Sequence, residues 1–586
     1  MMELEFTDEQ LNYVNSSIEE HTFLEACPGS GKTEVVAAKL AKEVSSWKKR
    51  PGGLAALSFA NSATDELTIR VSKYLPFGRG MFPHFLGTFD SFIYKNIVSP
   101  LSTELTKYVG EGGDASIRII EPTTHIGYRT KYSYAKRGNI YANRYSLDLK
   151  NNKLIFDSGD SVLDKTLGAL TLSDWQIRDF IQTKVRMLQG GFATYRDIES
   201  LALEVLTNEK YQSFVKLLVR RYPLFIVDEC QDLSEEQLLI FQSLADNGAK
   251  LHFVGDLHQA IYGFRDVDPD KVKDFVKDNN FTRLQLTRNF RSCQNIVSIC
   301  AKLTGRGNII GNMSWLKPRC LVLQYDNCPT ELIEAFEEKC NGFNSTVVVS
   351  RGHSTLNKFQ TSVDKPTHIQ NLALAIKLYN PQDMERLNQS LLKFSEFLRF
   401  HLKETCKPNS FNCPQSIASN LSWRKFLNDS LSYMIGNGLQ KVDVQWSSWT
   451  KDAKTLIRSL PKQSFCSEDT ASILTPLESV NLVSPSGSAK LEVASSLAVT
   501  NKPSFQFAKK TIHGAKGETH GATIVISSSR SGSDSHWKDW LKDPDSEAAR
   551  FAYVASSRPS ELLIWAVKTL KPLEREQLES VGFTIV

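Results

Sequence analysis

No apolar run in this 586-residue chain approaches the roughly 18–20 residues that a bilayer-spanning helix needs. The opening Met2-Glu3-Leu4-Glu5 is acidic and polar, without the basic flank and apolar core of a secretory leader, so the sequence reads as cytoplasmic and not membrane-bound. The ten cysteines include no CxxC pair, and the nearest spacings, Cys293/Cys300 and Cys406/Cys413, fit no common zinc pattern. Reduced thiols are therefore expected, with a site assembled from distant cysteines as the rival. Charge of either sign is scarce in net terms, at +5, which is compatible with a local nucleic-acid groove without establishing one. Fixed-period repeats, heptads, collagen-like and Gln/Asn-rich tracts are all missing. What remains is an ordinary globular composition, 41% hydrophobic and 23% charged, at a length that implies several domains.

Against that plain background one stretch stands out: Ala26-Cys27-Pro28-Gly29-Ser30-Gly31-Lys32-Thr33. Small residues let such a loop fold tightly, so that its N–H groups and the following helix N-terminus point at phosphates. Lys32 can reach the β- and γ-phosphates and the Thr33 hydroxyl can ligate Mg²⁺. Ala26 replaces the usual first Gly and is small enough for the same turn. A Gly-rich turn before an ordinary helix is the rival, but the apolar run Val35–Leu40 is what the motif requires. Far downstream, Leu224-Phe225-Ile226-Val227 reads as a buried parallel strand delivering Asp228-Glu229-Cys230-Gln231-Asp232 at its C-terminal end, where ligands bind in open α/β sheets. Asp228 can hold Mg²⁺ through water, and Glu229 can polarise an attacking water. Together these motifs predict a bound nucleoside triphosphate with Mg²⁺.

The gap of nearly 200 residues between the two motifs implies an inserted subdomain. Residues about 95–190 are polar and irregular, and Tyr128–Arg137 interleaves aromatic and basic residues. Such interleaving suits nucleic-acid contact, and a solvated loop explains it equally well. A second core is expected to begin near 281 and to resume near 490, with helical sequence such as Met384–Phe394 between and a linker at Ser484–Ser488.

The order of these and further motifs resembles superfamily 1A helicases of the UvrD/PcrA/Rep type. The resemblance is weak over about 95–210 and 380–490. It implies an α/β fold with two RecA-like cores of parallel sheet flanked by helices. Core 1A would take residues 1–94 and 191–280, subdomain 1B 95–190, core 2A 281–379 and 490–586, and subdomain 2B 380–489. Phe6-Thr7-Asp8-Glu9-Gln10 looks like the Q motif, in which Gln10 would read adenine. Leu57–Ala63 resembles motif Ia, with Phe59 stacking on a base and Asn61 on the DNA backbone. Gly87–Phe92 resembles motif Ib, with Thr88 on the backbone; core packing is a serious rival for Phe59, Phe89 and Phe92. Val254–Arg265 looks like motif III: Gln259 would sense the γ-phosphate, Tyr262 and Phe264 would stack on bases, and Arg265 would pair with a phosphate or carboxylate.

Leu286–Ser292 looks like motif IV, which implies Phe290 against adenine and Arg291 on the γ-phosphate. Thr511–Glu518 looks like motif V, with His513 toward DNA. The family usually reads Lys-Gly-Leu-Glu there, whereas this chain has Lys516-Gly517-Glu518-Thr519-His520, which leaves a ribose role for Glu518 open. Glu547–Arg558 resembles motif VI, with Arg558 as a second arginine on the γ-phosphate and with Arg550 and Tyr553 organising the helix.

The resemblance thus implies a nucleotide-binding set of Gln10, Ala26, Cys27, Pro28, Gly29, Ser30, Gly31, Lys32, Thr33, Phe290, Arg291, Glu518 and Arg558. Lys32, Asp228, Glu229, Gln259, Arg291 and Arg558 would carry hydrolysis, with Thr33 and Asp228 on the metal. The implied activity is ATP-driven 3′→5′ translocation on single-stranded DNA and unwinding at single/double-strand junctions. One alternative is an ATP-gated regulatory or scaffold subunit working with a separate nuclease, in DNA repair or anti-phage defence. A P-loop kinase or other small-molecule enzyme is the second rival.

Overall fold

The computed structural model describes residues 5–49, 51–76, 80–110, 112–134, 138–148, 153–263, 267–312, 319–359, 367–402, 405–406, 411–417, 419–485, 489–496, 507–532 and 534–586. They form two compact units, 1–356 with 507–586, and 357–506. The first unit contains two six-stranded sheets among its described residues, and every strand pairing in them is parallel. The expected α/β architecture with two RecA-like cores is present.

The first sheet comprises β1 (Thr22–Ala26), β2 (Leu54–Ser58), β3 (Phe85–Thr88), β4 (Leu224–Asp228), β5 (Lys250–Gly255) and β6 (Thr282–Leu286), in the spatial order β6-β1-β5-β4-β2-β3. Its central strands β1, β5, β4 and β2 are buried on both faces, because both are covered, as parallel crossovers demand. Phe23, Ala55, Leu57, Phe225, Val227, Leu251 and Phe253 enter one cluster, while Leu24, Leu54, Ala56, Leu224, Ile226 and Val254 enter the opposite one. Helix α1 (Asp8–Val14) and helix α2 (Lys32–Ser46) belong to the second of these layers through Tyr13, Val35, Val36 and Leu40. Phe89 and Phe92 are 2% and 1% exposed within the first cluster, so core packing accounts for both.

The second sheet comprises β7 (Cys320–Tyr325), β8 (Thr346–Ser350), β9 (Ala508–Thr511), β10 (His520–Ile526), β11 (Pro559–Lys568) and β12 (Thr584–Ile585), in the order β9-β8-β10-β11-β7-β12. Helices α3 (Gln294–Thr304) and α4 (Glu547–Ser556) cover one face through Ile296, Ile299, Phe551 and Val554. A boundary at residue 281 differs from the observed topology. Thr282–Leu286 pairs with β1 and extends the first sheet, because Leu286 packs with Leu24 and Val254. The chain leaves the first core only after Leu286.

Between β3 and β4 the chain builds short antiparallel pairs, Arg129–Ser133 with Asn139–Tyr141 and Tyr145–Asp148 with Lys153–Phe156, beside the helix Asp174–Gln189. These share a small core of Ile140, Tyr145, Phe180 and Met187. The unit 357–506 is helical, with a core that includes Trp423, Trp446 and Trp449. It starts well before the expected residue 380, since helix His368–Leu378 buries Ile369 and Leu372 in that same core. Of the expected linker, Ser486, Gly487 and Ser488 lie outside the described residues. None of the ten cysteines, all of them among the described residues, forms a disulfide.

Candidate nucleotide and nucleic-acid cleft

The loop after β1 turns through Gly29 and Gly31, at φ 71° and 78°, conformations that a Cβ disfavours. Gly29 carries a second constraint. A Cβ there would fall 2.5 Å from Cβ of Arg291 and 2.7 Å from Oδ1 of Asn289. The loop is thus pressed against the segment that begins the second core. Two backbone bonds fix this contact: the Phe290 N–H donates to the Gly29 carbonyl at 2.8 Å, and the Cys27 N–H to the Leu286 carbonyl at 3.1 Å. Lys32 opens α2 and meets both acids at the end of β4, lying 3.4 Å from Asp228 and ion-paired with Glu229. Glu229 holds a left-handed backbone (φ 57°), a strained geometry of the kind that clusters at functional sites.

Burial and charge oppose each other here. Burial disfavours the ammonium of Lys32, but Asp228 and Glu229 more than offset it and hold Lys32 above its usual value. Burial also raises the Glu229 carboxyl, yet Lys32 and Lys516 bring it down to about 2. Asp228 stays raised, because burial outweighs Lys32. Among the described residues no group of three or more His, Cys, Asp or Glu side chains could hold a metal. Thr33 and Asp228 suit Mg²⁺, which commonly takes one or two protein ligands and completes its shell with phosphate and water.

The second core supplies two guanidiniums to the same wall. Arg291 donates to the Ser557 carbonyl at 3.1 Å. Arg558 is 2% exposed and donates to Gln259 Oε1 at 3.1 Å, Ser557 Oγ at 2.8 Å and the Val554 carbonyl at 2.8 Å. Burial, and then repulsion from Arg558, lower Arg291 to about 9; burial lowers Arg558. Two desolvated cations this close favour an anion between them. A cleft of about 1740 Å³ runs past Lys32, Thr33, Asp228, Glu229, Gln259, Phe290, Arg291, Glu518 and Arg558, and continues to Phe59, Tyr262 and His513.

Tyr262 and His513 approach with ring centroids 5.5 Å apart, and His513 Nε2 pairs with the Ile261 carbonyl at 3.0 Å. Phe59 is half-buried and stacks near Phe89 at 6.4 Å. Phe290 is 43% exposed, with Arg288 over its ring at 5.4 Å. Cys27, Pro28 and Ala26 line the cleft, whereas Gln10, Ser30, Asn61 and Thr88 are not among its lining residues. The Thr88 hydroxyl caps a helix by accepting from the Ser91 N–H at 3.2 Å. The Gln10 amide accepts from the Thr7 N–H at 2.9 Å and donates to the Ser30 carbonyl at 3.0 Å. One Nε2 hydrogen and one Oε1 lone pair are then left for an adenine. Glu518 faces Lys510 and lies 3.1 Å from His520 Nε2. Phe264 and Arg265 lie outside the described residues.

Two cations, Lys516 and Arg306, had no role assigned from the sequence, whereas Arg550 and Tyr553 were expected to organise their helix. Lys516 donates to both oxygens of Asp232, at 2.8 and 2.6 Å, and lies over the Tyr262 ring at 4.8 Å. The Tyr553 hydroxyl donates to Asp256 at 3.0 Å, and Arg550 donates to the Ala260 carbonyl at 2.9 Å. Lys516, Arg550 and Tyr553 stand in recognisable motifs, which was the one available signal. Arg306, also bonded to Asp256, had none.

Residues 6–280 match the family described as UvrD/REP helicase N-terminal domain. The chain is 26% identical over 351 residues to the ATP-dependent DNA helicase srs2 of Schizosaccharomyces pombe, covering 55% of this chain and 38% of that protein. It is 25% identical over 321 residues to the ATP-dependent DNA helicase Rep of Buchnera aphidicola, covering 53% and 46%. It is 33% identical over 159 residues to an ATP-dependent helicase/nuclease subunit of Exiguobacterium sibiricum, covering 25% and 13%. The matched stretch spans less than half the length of each of these relatives.

Proposed function

From a chain that belongs to the UvrD-type superfamily 1A helicases, we propose an ATP-driven, 3′→5′ translocase on single-stranded DNA that unwinds duplex at single/double-strand junctions. One observation carries the reading. Lys32 and Glu229 from the first core and Arg291 and Arg558 from the second line a single cleft that continues to Tyr262 and His513. Phosphoryl transfer to water asks the protein mainly for positioning and charge neutralisation. An arriving triphosphate takes Lys32 from its two acids. Glu229 is then free to orient water. Mg²⁺, held through Thr33 and Asp228, would neutralise β- and γ-phosphate charge. Arg291 and Arg558 add charge from the opposite core, so binding draws the cores together and hydrolysis releases them. Phe59 on one core and His513 on the other would hold the strand in turn, Tyr262 stacking between them.

The test measures ATP turnover with and without single-stranded DNA, followed by unwinding of duplexes bearing a 3′ or a 5′ tail. Stimulation by DNA and a requirement for the 3′ tail are expected. Turnover indifferent to DNA would reject the motor. A second reading draws on the similarity to helicase/nuclease proteins: an ATP-gated component that directs a separate nuclease, in DNA repair or anti-phage defence. Light scattering on the native complex separates the two, a lone chain of 65.9 kDa favouring the first.

A further inference from the structure

Asp256 follows β5 at the base of the segment that carries Gln259, and it is 1% exposed. A carboxylate so buried needs partners for its oxygens. Two of them come from the second core: the Tyr553 hydroxyl at 3.0 Å on Oδ2, and Arg306 Nη1 at 3.2 Å on Oδ1. Within its own core, Gln259 Nε2 donates to Oδ2 at 2.9 Å. The other Arg306 nitrogen, Nη2, lies 3.5 Å from Glu25, in the strand that runs into the phosphate loop. One guanidinium fork therefore joins the second core to two of the first-core strands that border the nucleotide site, β1 and β5. The local chain serves this placement. Helix α3 ends at Gly305 in the left-handed region (φ 65°), and that turn brings Arg306 to Asp256 and Glu25. Burial opposes the charge on Arg306, and Asp256 and Glu25 hold it in place.

We infer that Arg306 is a positioning residue: its bonds to Asp256 and Glu25 hold the two cores in register, and through Asp256 they orient Gln259 and hence Arg558. The relay is continuous, from Arg306 to Asp256, from Asp256 to Gln259 Nε2, and from Gln259 Oε1 to Arg558 Nη2. Arg306 does not itself line the cleft, so it acts without touching nucleotide. Its effect on turnover rests on the proposed motor reading, whereas its effect on the spacing of the cores does not.

The experiment uses the full chain with a fluorophore pair, one dye on each core, and the variants Arg306→Gln, Asp256→Asn, their double, and Glu25→Gln. In nucleotide-free protein, Arg306→Gln should lower energy transfer between the dyes. In DNA-stimulated ATPase assays kcat should fall about tenfold, with KM for ATP within about twofold. The double variant should be no worse than the poorer single variant, because both break one relay. Glu25→Gln removes one arm without exposing a buried charge, and should give a smaller loss of the same kind. Unchanged energy transfer and kcat in Arg306→Gln would overturn the inference, as would losses that multiply in the double variant. Should Arg306→Gln fail to fold, an unchanged Glu25→Gln protein would overturn it. Wild-type protein without DNA-stimulated turnover would sink the motor reading instead, and the energy-transfer measurement would still decide the role of Arg306.

Discussion

The two cores present their functional groups by different physical routes. In the first core, local geometry suffices: the phosphate loop leaves β1, Asp228 ends β4 and Asp256 follows β5, so parallel strand ends bring these groups to one edge. In the second core Arg291 bonds to the Ser557 carbonyl of its own core, whereas three other cations also reach partners in the first. Arg558 rests on Gln259, Arg306 on Asp256 and Glu25, and Lys516 on Asp232, all of them first-core residues. On the proposed reading, the first core binds and the second senses whether the first is in place. A motor needs that division, because the cation that completes the site must also be able to leave it.

If this contrast is right, the two sides should fail differently. Arg558→Ala should cost turnover most, about 10³-fold or more, with nucleotide affinity little changed, as expected for a charge that matters in the transition state. Lys32→Ala should cost about 10²- to 10³-fold and also weaken binding, since Lys32 meets the phosphates in the ground state as well. Steady-state kinetics with a fluorescent-nucleotide titration separates the two patterns, and equal binding losses would break the contrast. On the track side, Tyr262→Ala should weaken single-stranded DNA binding by about 1–3 kcal/mol, read by anisotropy.

Gly29→Ala tests the seam between the cores. A left-handed non-glycine residue costs about 1–2 kcal/mol, and the added methyl would meet Arg291, so the melting temperature should drop and the Phe290–Gly29 backbone bond should be lost. The smallest effect concerns Asp232, which burial pushes up to about 6 against Lys516. The folded chain binds this proton more tightly than the unfolded chain does. The associated stability is therefore complete below pH about 4 and fades as pH rises through about 6. Asp232→Asn should flatten the pH dependence of the unfolding midpoint between those values.

Much of the first core was legible because each of its functional residues sits in a short run whose backbone geometry is local: glycines in a phosphate loop, or acids after a four-residue apolar strand. The aromatic residues of Gly87–Phe92 were harder to read, since a ring packed in a core and a ring facing a base look alike in sequence; only burial tells Phe89 from Tyr262. The turn to the second core was misplaced because Leu284 and Leu286 suit either sheet, and pairing with β1 is a long-range event. Arg306 was invisible for the same reason, one arginine among many after a helix end.

The sequence by itself determined the glycine-rich loop and the acids opposite it, because apolar periodicity and motif spacing act over a few residues at a time; the two-sheet α/β plan followed from the family resemblance. Tertiary structure alone decided which cations cross between cores, that Asp256 is the node they share, and that Thr88 caps a helix. Those outcomes depend on which groups become buried together, and burial is a property of the folded assembly of elements that no short stretch of chain contains.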